Sequence, residues 1–331
     1  MRKKIAFYSP HLSERGTETA MYDFAHFNEE ILGNKSIIIY NPKCSKNHPS
    51  AVEKFEKRFD VFHLSGPDYD FGWRKDVAVP LIDKVITEQN CDILYMQKGG
   101  QNDGVYSRKC KNIILCCSGH YEPHGDAYLY VSEWLSRTSS GSKASYIPII
   151  IDVPKNLGNL REELSIPADA IVLGRTGGMD TWDIPWANQS ILKALALREN
   201  LYFVFQNTPR VFDHERVKYV KTTADNNFKS KFIETCDAMI HCRMHGESFG
   251  QSCAEFSSMN KPVITYANSR ERAHIEILKD KGLYYRNEND LFSILMSFVP
   301  NKDTDWNCYK NHTPELVMQN FSKIINSVME E

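Results

Sequence analysis

Short apolar runs alternate with longer amphipathic stretches along the first half of the chain, a pattern that predicts a parallel sheet covered by helices on both faces. The apolar runs predict strands at residues 4–9, 36–40, 61–64, 92–97, 113–118, 128–132 and 146–151. Residues 17–32 and 76–89 predict helices between them. In the first helix Ala20, Met21, Phe24, Phe27 and Ile31 recur at three- and four-residue steps and form one buried stripe. Near Asp152-Val-Pro-Lys-Asn the series stops at a polar, proline-containing connection, where a domain boundary is expected. A second series follows: strands at 170–175, 202–206, 217–220, 238–241 and 262–266, and helices at 186–198, 226–236 and about 249–258. A last periodic segment, 314–329, predicts a helix.

Composition makes this two ordinary domains. The chain has 331 residues, 42% hydrophobic and 25% charged, enough for two cores. A formal charge of −2 gives no broad basic field, so nucleic acid is not an expected partner. No run approaches eighteen apolar residues, and the apolar stretch after Met1-Arg-Lys-Lys is too short for a signal-peptide core. The expectation is a cytoplasmic protein with no membrane span, which leaves peripheral membrane contact open. Nine cysteines, mostly inside the apolar segments, suit buried thiols in a reducing compartment.

The most informative stretch is Met244-His-Gly-Glu-Ser-Phe-Gly-Gln-Ser-Cys-Ala-Glu-Phe256, between an apolar strand and Lys261-Pro-Val-Ile-Thr265. A strand, a turn bearing Gly246 and Gly250, and a helix would aim free backbone N–H groups at an anion. Glu247 sits at the mouth of the turn, and Glu255, eight positions on, lies about two turns along the helix. One carboxylate can grip sugar hydroxyls beside phosphates and the other can reach a ribose. A capped helix with two surface glutamates would suit either residue alone. Turn, spacing and following strand together resemble the signature of the retaining glycosyltransferases grouped as family 4.

That resemblance extends along nearly the whole chain. Arg15-Gly-Thr-Glu-Thr19 stands where the family has a glycine-rich turn; Gly16 would let backbone approach a phosphate and Thr17 could cap the helix, although a plain strand-to-helix turn fits equally. His120 follows an apolar strand, much as the family places a histidine that touches the donor sugar. Asp126 to Trp134 is similar to its strand-turn-helix, and Tyr146-Ile-Pro148 with Asp152 to its linker. Arg175 ends a strand where the family binds the donor diphosphate, a task that suits a planar guanidinium. The family's usual lysine is missing from Met179-Asp-Thr-Trp-Asp-Ile-Pro185, so another cation such as Arg243 takes its place, or Arg175 acts with helix amides and the Gly177-Gly178 backbone alone.

The resemblance implies an α/β GT-B fold, two Rossmann-like doubly wound domains facing a cleft. Residues 1–152 would form the acceptor-side domain, 153–310 the nucleotide-sugar domain, and 311–331 a helix packing back on the first. It implies a nucleotide-diphosphate-sugar co-substrate, a glycan or other hydroxyl acceptor, no cofactor and no metal. Glu247, His120 and Arg175 would serve the chemistry; Gly16, Thr17, Arg175, Ser248, Phe249, Gly250, Gln251 and Glu255 would hold the donor. A sugar-nucleotide epimerase or hydrolase, or a non-catalytic sugar-nucleotide- or carbohydrate-binding protein, would share the fold.

Two metal readings are weak. Cys116, Cys117, His120 and His124 cluster, but adjacent strand cysteines point to opposite faces. Asp68-Tyr-Asp70 and Asp303-Thr-Asp305 match a short metal motif of another glycosyltransferase fold, yet neither ends an apolar strand. The aromatic loop Tyr69-Asp-Phe-Gly-Trp73 is expected to fold onto its own domain rather than meet a sugar.

Overall fold

The computed structural model describes residues 2–66, 71–221 and 223–330. The chain divides into two compact units, Met1–Ile150 with Asn311–Glu331, and Ile151–Lys310.

In the first unit the order is β1 (Lys4–Tyr8), α1 (Gly16–Glu30), β2 (Lys35–Tyr40), α2 (Pro49–Arg58), β3 (Asp60–His63), α3 (Lys75–Gln89), β4 (Ile93–Lys98), β5 (Lys111–Cys116), β6 (Ala127–Tyr130) and α4 (Glu133–Ser140). All pairings are parallel, in the order β3-β2-β1-β4-β5-β6. The central strands are buried along almost their whole length, which is why they read as continuous apolar runs rather than alternating ones. Residues 146–151 are not a strand. Tyr146 forms one bridge with Tyr130, and Pro148 then has no amide with which to continue a ladder.

The second unit runs β7 (Ile171–Arg175), α5 (Ala187–Leu197), β8 (Leu201–Gln206), β9 (Val217–Val220), α6 (Asn226–Thr235), β10 (Ala238–His241), β11 (Gly246–Glu247), α7 (Gln251–Ser258), β12 (Val263–Tyr266), β13 (Glu271–Arg272), α8 (Ala273–Leu278), β14 (Leu283–Tyr285) and α9 (Glu288–Ser297). Its six-stranded sheet has the order β14-β12-β10-β7-β8-β9, and β11 and β13 form a separate parallel pair. Counted within its own unit, each large sheet runs 3-2-1-4-5-6. This is the doubly wound order, whose strand sequence reverses between β1 and β4 in one unit and between β7 and β10 in the other. Ligands of such sheets bind outside the carboxyl ends of the strands at that reversal.

The last helix, α10 (Pro314–Glu330), belongs to the first unit. Its Phe321 ring lies 5.2 Å from Phe24 of α1 and 5.8 Å from Tyr95 of β4. No helix among the described residues is long and apolar enough to cross a membrane.

Candidate functional site

In the second unit β10 ends at His241, and a short turn carries the chain through Arg243 and Glu247 to α7. Two glycines make the turn possible. Gly246 stands at φ +79°, and a Cβ there would fall 1.9 Å from the Glu271 carbonyl oxygen. The crowding arises because β11 lies against β13, with Gly246 opposite Glu271 and Glu247 opposite Arg272. Gly250 stands at φ +90° as the residue before α7, where a Cβ would come 2.8 Å from that of His274. This left-handed residue is why the helix starts at Gln251 rather than Phe249. Gly250 has no side chain of its own with which to cap α7, and a helix N-terminus is suited to an anion.

Glu247 is clamped from two sides. His241 Nε2 lies 3.1 Å from its Oε1, and Arg243 NH1 lies 2.9 Å from its Oε2. Behind it, His241 Nδ1 is 2.8 Å from Thr265 Oγ1, which is 3.1 Å from His274 Nε2. Burial alone would raise the Glu247 carboxyl; the His241 hydrogen bond and the Arg243 guanidinium outweigh it and bring it down to about 2. Burial, with His241 nearby, pulls the His274 imidazole down to about 3 despite Glu247. At neutral pH Glu247 is therefore an anion and His274 is neutral. A carboxylate offers about four lone-pair sites. His241 and Arg243 use one on each oxygen, and the remainder suit hydroxyl donors.

Glu255 is buried on α7, where Lys229 Nζ of α6 lies 2.7 Å and Gln251 Nε2 3.3 Å from its Oε1. Ser248 is half-buried, whereas Phe249 is buried with its ring 6.0 Å from Tyr309, so its side chain belongs to the core.

Arg175 ends β7 but points into protein. NH1 donates to the Asn207 carbonyl at 2.8 Å and to Thr208 Oγ1 at 2.5 Å, and NH2 donates to the Gly178 carbonyl at 3.0 Å and to Thr181 Oγ1 at 2.7 Å. Burial pulls its guanidinium down to about 10, which leaves it charged at neutral pH. In this arrangement it staples the loop after β7 to the loop after β8, and a diphosphate role would require it to give up such bonds. Arg175→Ala would orphan these oxygens at a cost of about 3 kcal/mol. A thermal melt should show the second unit losing stability; a midpoint within about 1 °C of the parent would contradict the stapling.

In the first unit α1 begins at Gly16 with Arg15 before it and no side-chain cap, so Thr17 does not cap the helix. The buried carboxylate here is Glu18, which accepts from Ser13 Oγ at 2.6 Å and Ser9 Oγ at 3.3 Å. His120 is exposed, and its carbonyl accepts from the Tyr128 and Tyr130 hydroxyls at 3.0 and 2.6 Å. Asp68, Tyr69 and Asp70 lie outside the described residues; of the same loop, Phe71 is fully buried and Trp73 exposed. Asp305 pairs with Lys281 and Lys310 at 3.3 and 2.7 Å. No group of three metal-ligating side chains occurs among the described residues.

The sequence marked Glu247, its turn and, as one alternative, Arg243. It gave no sign of His241, Thr265 or His274, which come from β10, β12 and α8 and meet only in the fold.

No protein-family model matches the chain, and no curated protein matches it by sequence. Solved structures do match over its whole length. A structure of HepE from Anabaena in complex with UDP and glucose aligns at TM-score 0.72 and 14% identity, spanning 98% of this chain and 100% of that one. A glycosyltransferase from Rickettsia africae aligns at TM-score 0.68 and 14% identity, spanning 100% and 99%. A putative UDP-N-acetylglucosamine 2-epimerase from Listeria monocytogenes aligns at 0.66 and 14%, spanning 100% and 97%. The architecture is the GT-B fold, with two doubly wound α/β units.

Proposed function

We propose that this protein is a retaining glycosyltransferase that moves a sugar from a nucleotide-diphosphate-sugar donor to a hydroxyl of a glycan or other acceptor, without a divalent ion. The observation that carries this reading is the Glu247 carboxylate, held ionised between His241 and Arg243 directly ahead of the N-terminus of α7. Glu247 would fix the donor sugar's hydroxyls, with Ser248, Gly250 and Gln251 alongside. Glu255 would meet the ribose. His120 would touch the sugar, and the Gly16–Thr17 turn would offer backbone to a phosphate.

Arg243 would take the place of the missing lysine. A guanidinium carries five N–H donors, and a contact to Glu247 leaves others for the diphosphate. As the bond between the anomeric carbon and the diphosphate oxygen breaks, the sugar gains oxocarbenium character and the leaving phosphate gains charge. Arg243, Arg175 if it is released from its loop, and the α7 amides would stabilise that charge. The departing phosphate oxygen then accepts the acceptor hydroxyl's proton while the new C–O bond forms on the same face of the sugar.

A thermal-shift screen of nucleotide sugars tests the binding half of this reading. A cognate donor at 100 times its dissociation constant should add about 2.7 kcal/mol of stability. Glu255→Gln should raise the donor's dissociation constant by about tenfold while leaving turnover of the bound complex within about twofold, since the ribose is remote from the reacting carbon. A loss of turnover with unchanged affinity would exchange the roles of the two glutamates. Because a putative epimerase shares the fold, the same incubations should be read for altered or free sugar as well as for transfer.

A further inference from the structure

The Glu247 clamp is the outer end of a longer chain, and the inner end has an open valence. His274 is fully buried, its Nε2 meets Thr265 Oγ1, and its Nδ1 has no partner among the described residues. A neutral imidazole has one N–H and one lone pair. If the proton sat on Nδ1, a buried donor would be left unpaired, the more costly of the two arrangements. The proton therefore belongs on Nε2, where it donates to Thr265 Oγ1. The strongly depressed basicity of His274 agrees, because a second proton would have nowhere to go.

The rest of the chain is then determined. Thr265, accepting from His274, turns its own hydrogen toward His241 Nδ1 at 2.8 Å. His241 Nδ1 must be the acceptor, so its proton sits on Nε2 and points at Glu247 Oε1, 3.1 Å away. The reversed polarity fails at both ends. It orphans the His274 Nδ1–H and, for a neutral His241, sets a ring lone pair against the carboxylate. A doubly protonated His241 would satisfy Glu247, but Thr265 Oγ1 would then accept from both rings and its own buried hydroxyl hydrogen would be left without an acceptor among the described hydrogen bonds.

We infer that Thr265 and His274 are positioning residues, which fix the His241 tautomer so that its Nε2–H locks the Glu247 carboxylate in the orientation that receives the donor sugar. Neither has to touch substrate. Their action passes through one hydroxyl and one ring, the sort of third group that holds a catalytic histidine elsewhere. The His241 and His274 rings, 4.9 Å apart and inclined at 64°, leave the Thr265 hydroxyl as the only link between them among the described hydrogen bonds. The inference rests on the reading of Glu247 given above.

The test uses Thr265→Val, which keeps the β-branched shape at a buried strand position and removes only the hydroxyl, with Thr265→Ser as the variant that returns it. Histidine nitrogen shifts in the ¹⁵N-labelled free protein read the tautomer directly. The parent and Thr265→Ser should show His241 with its proton on Nε2, and Thr265→Val should show a mixture. Turnover should fall on the order of tenfold in Thr265→Val with donor KM within about twofold, and recover in Thr265→Ser. A parent His241 protonated on Nδ1, an unchanged His241 pattern in Thr265→Val, or a changed pattern with parental turnover would each overturn the inference. Failure of the underlying reading looks different: Glu247→Gln would leave turnover intact whatever the ring nitrogens show.

Discussion

Glu247→Gln should lower turnover by about 100- to 1000-fold while changing donor affinity only a few-fold, the loss expected when a preorganised polar contact to the reacting sugar is removed. The geometry gives the reason. Oε1 and Oε2 each face a donor, the ring of His241 and the guanidinium of Arg243, and an amide can present an acceptor to only one of them. The other donor would meet an N–H. Single-turnover kinetics at saturating donor check this, and a rate within twofold of the parent would remove Glu247 from the chemistry.

The same substitution has a signature in acid. The Glu247 carboxyl lies at about 2 in the folded chain against an ordinary 4.5, because His241 and Arg243 outweigh the effect of burial. Its contribution, of the order of 3 kcal/mol, is therefore complete above about pH 4.5 and is lost as the pH falls toward 2. Glu247→Gln should flatten that part of the acid-unfolding curve.

Gly246→Ala should give the largest loss of stability of any single methyl addition near the site. The backbone there is left-handed at φ +79°, and the new Cβ would fall 1.9 Å from the Glu271 carbonyl oxygen and 2.6 Å from the Ser269 Cβ. Relief requires β11 and β13 to part, which also breaks the 2.7 Å bond from the Glu271 amide to the His245 carbonyl. A cost of about 4 kcal/mol is expected, equivalent to a fall of roughly 10 °C in melting midpoint. A Gly246→Ala protein that melts with the parent would show that the turn is not built this way.

Strands buried on both faces announce themselves as apolar runs, so β1, β4, β5, β7, β8 and β10 were legible within a residue or two. Their order in the sheets was not, because parallel pairing joins segments whose contacts no local pattern encodes. α2 was missed because it buries only Ala51 and Phe55, too few for a periodic stripe. β14, three residues long, and α9 escaped for the same want of pattern. At the site, glycines and glutamates were readable since their spacing is local. Arg175 was readable as a cation at a strand end, but the oxygens that surround it come from Thr181 six residues away and from the loop after β8. The chain from His274 through Thr265 to His241 is assembled from three elements and leaves no mark on any one of them.

The central claim is transfer from a nucleotide sugar with retained configuration through protein-borne positive charge. The measurement that tests it most directly is proton NMR of the product formed after exhaustive chelation, using the donor identified by thermal shift and a panel of hydroxyl acceptors. The account predicts a new glycosidic linkage whose anomeric coupling matches that of the donor, formed at the same rate with and without added manganese. An inverted linkage, activity that appears only with the metal, or free or epimerised sugar in place of a transferred one would contradict it.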